Sequence, residues 1–211
     1  MSTFEFKKNI HLVKILNLKA TNINELIEGF KKIPLNSVYY HTHRFLKQHQ
    51  SISPEPPNDF AYWIEKALNM KKLSEIVASV NIVEFNKLWE LKNKYIEVIK
   101  KNTIPYERKK KCNKNEEFVF MGCKTFIIPT GDTASNLPEF YEKLKIIESS
   151  SIYFHIFESR LRIDSQINDF QLWLNENSYS AVAEEIGKID PYNMTVENLR
   201  RKILNITEKY L

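Results

Sequence analysis

The sequence predicts a mainly α-helical protein made of two tandem, equivalent helical units, with at most a short β element at the start of each. Three observations lead there: an internal repeat, a helix-start signature present in both copies, and helical apolar periodicity closing each copy. At an offset of 114 residues, positions 4–41 pair with 118–155 without a gap, and eleven of the 38 pairs are identical. The identities are Phe4, Phe6, Ala20, Asn22, Glu25, Glu28, Lys31, Ile33, Ser37, Tyr39 and His41 with Phe118, Phe120, Ala134, Asn136, Glu139, Glu142, Lys145, Ile147, Ser151, Tyr153 and His155. After a loop that is shorter in the second copy, Asn58-Asp59-Phe60 with Trp63 recurs as Asn168-Asp169-Phe170 with Trp173. The implied organisation is unit one over 1–99, a basic linker over 100–117, and unit two over 118–211.

Each copy opens with a short alternating stretch, Phe4-Glu5-Phe6 or Phe118-Val119-Phe120, and then an apolar run over 12–16 or 126–128. Strand and helix both stay open there. Asn22 with Glu25, and Asn136 with Glu139, form the asparagine-to-glutamate spacing of a helix N-terminus. Glu28 with Lys31, and Glu142 with Lys145, are i,i+3 pairs on a solvent face. The next helix is expected to start at Ser37 or Ser151 as N-cap and to place His41 on an apolar stripe beside Val38. A third helix starts at Asn58-Asp59 or Asn168-Asp169 and buries Phe60 with Trp63, or Phe170 with Trp173. Helical patterns over 73–99 and 181–210 close the copies, and Pro129-Thr130-Gly131-Asp132 is expected to be a turn.

Composition narrows the function classes. With 43% hydrophobic and 27% charged residues the chain is a packed globular protein, far from the composition of disorder. It has no apolar run of about 18 residues, and positions 1–10 lack the apolar core of a secretory leader, which predicts a cytoplasmic protein with no membrane segment. Four glycines in the whole chain, in no GxGxxG or GxxxxGK[ST] pattern, argue against nucleotide-binding loops. Cys112 and Cys123 form neither a CxxC pair nor a disulfide framework. Much of the net charge of +5 is concentrated in Arg108, Lys109, Lys110 and Lys111, within the linker.

Once capping and packing are subtracted, a duplicated histidine and aspartate remain: His41 with Asp59, and His155 with Asp169. A histidine on an apolar face needs partners for its ring nitrogens, and the first aspartate of the neighbouring helix supplies one. A satisfied core histidine is the first reading. The alternatives are a mixed nitrogen and oxygen metal site from all four residues, and a general base oriented by its aspartate. Tyr39, Tyr153, Arg108, Lys109, Lys110 and Lys111 are candidate partner contacts.

The strings SVYYHTHRFLKQHQ and SPEPPNDFAYW, echoed by SSIYFHIFESRL and NDFQLW, resemble an uncharacterised prokaryotic family known only as a domain of unknown function. The resemblance covers the chain outside the linker. It implies a bacterial or archaeal cytosolic protein, associated with carbohydrate-active enzymes, and carries no catalytic residue over. The function expected is therefore a non-catalytic binding or adaptor protein without a cofactor, whose partner is another protein contacted by the loop over 50–57. Two other functions stay in view. One is a metal-dependent or His/Asp-based hydrolytic enzyme; the other is nucleic-acid binding through the basic linker, for which a single Tyr106 beside the tract is thin support.

Overall fold

The computed structural model describes residues 2–44, 58–159, 167–191 and 194–211. Strand β1 spans Phe4–Ala20 and is followed by α1 (Ile23–Lys32), α2 (Leu35–Tyr39), α3 (Asp59–Lys66), α4 (Lys71–Ala78) and α5 (Leu88–Lys101). Strand β2 (Phe118–Ala134) then precedes α6 (Leu137–Ile146), α7 (Ser149–Tyr153), α8 (Asp169–Glu176), α9 (Ser180–Gly187) and α10 (Val196–Glu208). Helices α2 and α7 each run on into a π-helical turn, Tyr40–Arg44 and Phe154–Glu158.

The architecture is mixed α/β, which corrects the mainly α reading with tandem helical units. Ten α-helices among the described residues accompany a two-stranded sheet whose strands are 17 residues each. Thr130 Oγ1 donates to the Phe6 carbonyl at 3.0 Å, and the His11 ring meets Thr125 Oγ1 at 3.0 Å, which fixes an antiparallel register. Both stretches expected as the short β start of a copy, Phe4-Glu5-Phe6 and Phe118-Val119-Phe120, are thus the first residues of long strands. Their partners lie more than a hundred positions away, so local periodicity carries no trace of the pairing. The expected turn at Pro129-Thr130-Gly131-Asp132 lies inside β2. Gly131 has φ +88°, and its repeat equivalent Asn17 has φ +52°, so both strands are distorted at one equivalent point by residue types that tolerate the left-handed region.

The helix starts follow the sequence. Asn22 Oδ1 accepts from the Glu25 N–H at 3.0 Å while Glu25 accepts from the Thr21 N–H at 2.7 Å; Asn136, Glu139 and Ser135 repeat the arrangement at 2.9 and 2.8 Å. Asn58 and Asn168 cap α3 and α8. Ser37 and Ser151 do not cap: α2 and α7 begin two residues earlier, after Pro34 and Glu148, which leaves those hydroxyls free for another task.

The chain divides into two compact units that are not contiguous in sequence. Unit one is Leu12–Lys124, and unit two is Met1–His11 together with Thr125–Leu211. The first half of β1 therefore belongs with the helices of the second copy, and the start of β2 with the helices of the first. In unit one, Phe118 and Phe120 join Phe30, Phe60, Ile64 and Tyr95 in the core. In unit two, Phe4 and Phe6 join Phe140, Phe170, Trp173 and Leu174. Phe6 and Phe120 are wholly buried, each contributing about 3 kcal/mol of apolar burial. Fit is tight as well as apolar: a Cβ on Gly29 would sit 2.2 Å from Phe120 Cζ.

Positions 100–117 are folded onto unit one. Arg108 donates to the carbonyls of Lys100 and Thr103 at 2.6 Å each and to Thr103 Oγ1 at 2.8 Å, closing the end of α5. The Cys112 N–H donates to the Thr21 carbonyl at 2.8 Å.

If each half of the chain carries a core strand of the other unit, a single cut inside positions 109–111 must leave two fragments that stay together. A protease site introduced there should give a nicked protein that elutes as one species in native size exclusion and separates only in denaturant. Fragments that part under native conditions would contradict the division.

Candidate functional site

The duplicated His–Asp pairs lie one in each unit, and each imidazole is held from both sides. In unit one, His41 Nδ1 is 2.6 Å from Asp59 Oδ2, and the Met121 N–H donates to His41 Nε2 at 2.9 Å. In unit two, His155 Nδ1 is 2.7 Å from Asp169 Oδ2, and the Lys7 N–H donates to His155 Nε2 at 2.8 Å. A backbone N–H can only donate, so Nε2 is the acceptor, the proton sits on Nδ1, and that N–H donates to the carboxylate. Both imidazoles are neutral in this arrangement.

The serines that do not cap complete the grip. Ser37 Oγ donates to the Met121 carbonyl at 2.5 Å, and Ser151 Oγ donates to the Lys7 carbonyl at 2.8 Å. Ser and His four apart lie on one helix face, so together they take both backbone groups of a single strand residue. Lys7 and Met121 are themselves repeat equivalents. Trp63 Nε1–H donates to the Glu116 carbonyl at 2.6 Å, and Trp173 Nε1–H to the Ser2 carbonyl at 2.7 Å, fixing the chain just ahead of each strand. Aromatic packing repeats too. The His41 ring is 4.8 Å from Phe118 and 6.3 Å from Phe120; His155 is 4.8 Å from Phe4 and 6.2 Å from Phe6. A π-helical turn in each copy carries the histidine, placing Nε2 against the strand.

Among the described residues no group of three or more histidine, cysteine, aspartate or glutamate side chains is placed to hold a metal ion. Tyr39 and Tyr153, expected as partner contacts, are core residues only 7% and 4% exposed, stacked on His43 at 5.7 Å and on Phe157 at 4.6 Å. Arg108 is engaged by backbone carbonyls, while Lys109, Lys110 and Lys111 are exposed beside Tyr106. Tyr106, Lys109, Lys110, Glu107 and Met70 line an open cavity of about 470 Å³. The loop over 50–57 lies outside the described residues.

A further cluster escaped the sequence reading. Glu158, buried at the end of the second π-helical turn, accepts from Asn9 Nδ2, and its Oε1 is 3.9 Å from His11 Nε2. Asn9 and His11 sit on β1, so this cluster also fastens that strand to unit two. Repeat equivalence gives no hint of it, because Cys123, Thr125 and Arg44 stand at the matching positions.

A family model matches residues 1–208. The chain belongs to DUF5752, a family of unknown function. The DUF5752 chain is also similar in structure to OrfY from Thermoproteus tenax, with a TM-score of 0.81 and 23% identity over 99% of this chain and 95% of that one. At that identity the likeness concerns the fold alone. No curated protein matches the chain. Among the described residues, no helix is long and apolar enough to cross a membrane.

His43 gives the site a pH signature. It stands where the second copy has Phe157, and burial pulls its imidazole down from 6.5 to about 4. The unfolded chain then takes up the proton first, so stability present above pH 6.5 is lost as pH falls toward 4, by on the order of 3 kcal/mol. His43→Phe should flatten that part of the profile, measured by urea unfolding at pH 7 and 4.5. An equal acid loss in variant and wild type would contradict it.

Proposed function

We propose that this DUF5752 protein is a non-catalytic binding protein, an adaptor whose partner is another protein. The observation that supports this is the use of both ring nitrogens of His41 and His155 within the fold. A general base needs a lone pair facing substrate, and a metal ligand needs one facing the ion. Here each Nε2 lone pair faces a strand N–H, and each Nδ1–H faces a carboxylate. The residues that an enzyme reading requires are spent on holding the strands. A carbohydrate-active enzyme as the class of partner rests on the family resemblance of the sequence strings.

Elemental analysis of the purified protein, wild type and the double variant His41→Ala with His155→Ala, tests this reading. Removing both imidazoles takes a buried hydrogen-bond partner from each of the two aspartates and from the two strand N–H groups, so each change should destabilise its unit by about 2 kcal/mol or more. The expected result is no stoichiometric metal in either protein and a lowered midpoint of urea unfolding in the variant. Near-stoichiometric metal in the wild type that the variant loses would overturn the reading in favour of a metal-dependent enzyme.

A further inference from the structure

The part of β1 in unit one has a composition that its own fold does not use. Leu12, Val13 and Ile15 are 63%, 36% and 57% exposed, three large apolar side chains within four residues. Alternation sends Leu12 to one face of the strand and Val13 with Ile15 to the other, so both faces leave apolar surface open to solvent there. The sheet has two strands, so β1 has one edge without a strand neighbour among the described residues. Lys14 and Lys19 are exposed and make no ion pair among those residues. No acidic residue occurs between positions 6 and 24, or between 118 and 131 on β2.

We propose that β1 over positions 12–19 is a docking edge for an extended segment of a partner protein in which acidic and apolar residues alternate. The inference rests on the binding-protein reading above and names the surface and the chemistry of the partner. An open strand edge offers a row of N–H and C=O groups that an added strand satisfies, while flanking side chains set its preference. The apolar residues of the added strand would cover Val13 and Ile15 on one face, and its carboxylates would pair with Lys14 across the strands on the other, the face of Leu12.

Charge and backbone chemistry decide among occupants. A second copy would bring the same lysines against these, in a chain whose net charge is already +5. Lysines on an edge oppose pairing of like with like. A bilayer would leave the edge N–H and C=O groups without partners in hydrocarbon. A strand bearing carboxylates meets both demands.

The test is a titration of the ¹⁵N-labelled full chain with a synthetic peptide of about eight residues alternating valine and glutamate. Saturable shifts confined to the amides of 12–19 and their β2 neighbours are expected. Ile15→Lys, at an exposed position, should weaken binding about tenfold or more, as should replacing the peptide's glutamates by lysine. N-methylation of the peptide backbone should abolish it. Shifts confined to the surface around Tyr106 and Lys110 would overturn the edge while leaving a binding protein. No shift at millimolar peptide, or sedimentation with phosphatidylserine vesicles that Ile15→Lys abolishes, would also overturn it. The binding-protein reading fails separately, on a stoichiometric metal held by His41 and His155.

Discussion

One strand residue in each unit is held at both its backbone groups by a single helix, and the rest of the structure is arranged around that hold. At Met121 the N–H is taken by His41 and the C=O by Ser37; at Lys7 the same groups are taken by His155 and Ser151. Hydrogen bonds of this kind contribute about 1 kcal/mol each when made. They matter more for position, because a buried N–H or C=O left unpaired costs more than the bond contributes, so the strand has one permitted register. The aspartates extend the hold by fixing which imidazole nitrogen carries the proton. Phe118 and Phe120, or Phe4 and Phe6, then fall into the aromatic core beside the imidazole, and burial of those rings supplies most of the energy.

Because the held strand comes from the other end of the repeat alignment, the two units cannot be separated by cutting the sequence between the copies. Their boundaries at His11/Leu12 and Lys124/Thr125 fall inside β1 and β2. The repeated residues that look catalytic by type thereby acquire a structural task, and the identity of serine, histidine, aspartate and tryptophan in both copies has one physical reason. Where the copies differ, so do their details. His43 replaces Phe157 in the stack on tyrosine, and Glu158 with Asn9 and His11 gives unit two an attachment whose residues are not repeated in the other copy.

Local signals were legible in the sequence. Asn22 with Glu25, Asn136 with Glu139, and the asparagines ahead of α3 and α8 specify helix starts through bonds that reach only three residues along the chain. The His41–Asp59 and His155–Asp169 pairs were legible because duplication isolated them from residues explained by capping. What was not legible is everything that depends on β1 meeting β2. Ser37 looked like an N-cap because its acceptor, the Met121 carbonyl, is 84 positions away. Gly131 and its neighbours looked like a turn because a proline, a glycine and an aspartate in succession usually make one; paired to β1, they distort a strand that continues. The same missing contact hid the mixed fold class.

Hydrogen–deuterium exchange of Phe6→Ala reports directly on whether the first half of β1 belongs to the core of unit two. Removing a buried ring of this size destabilises a core by about 3–5 kcal/mol. Phe6 is far in sequence from the helices it packs on, yet its loss should speed exchange in α6, α8 and α10 of unit two, with α1, α3 and α5 of unit one close to wild type. Faster exchange in α1, α3 and α5 with α6, α8 and α10 unchanged would contradict it.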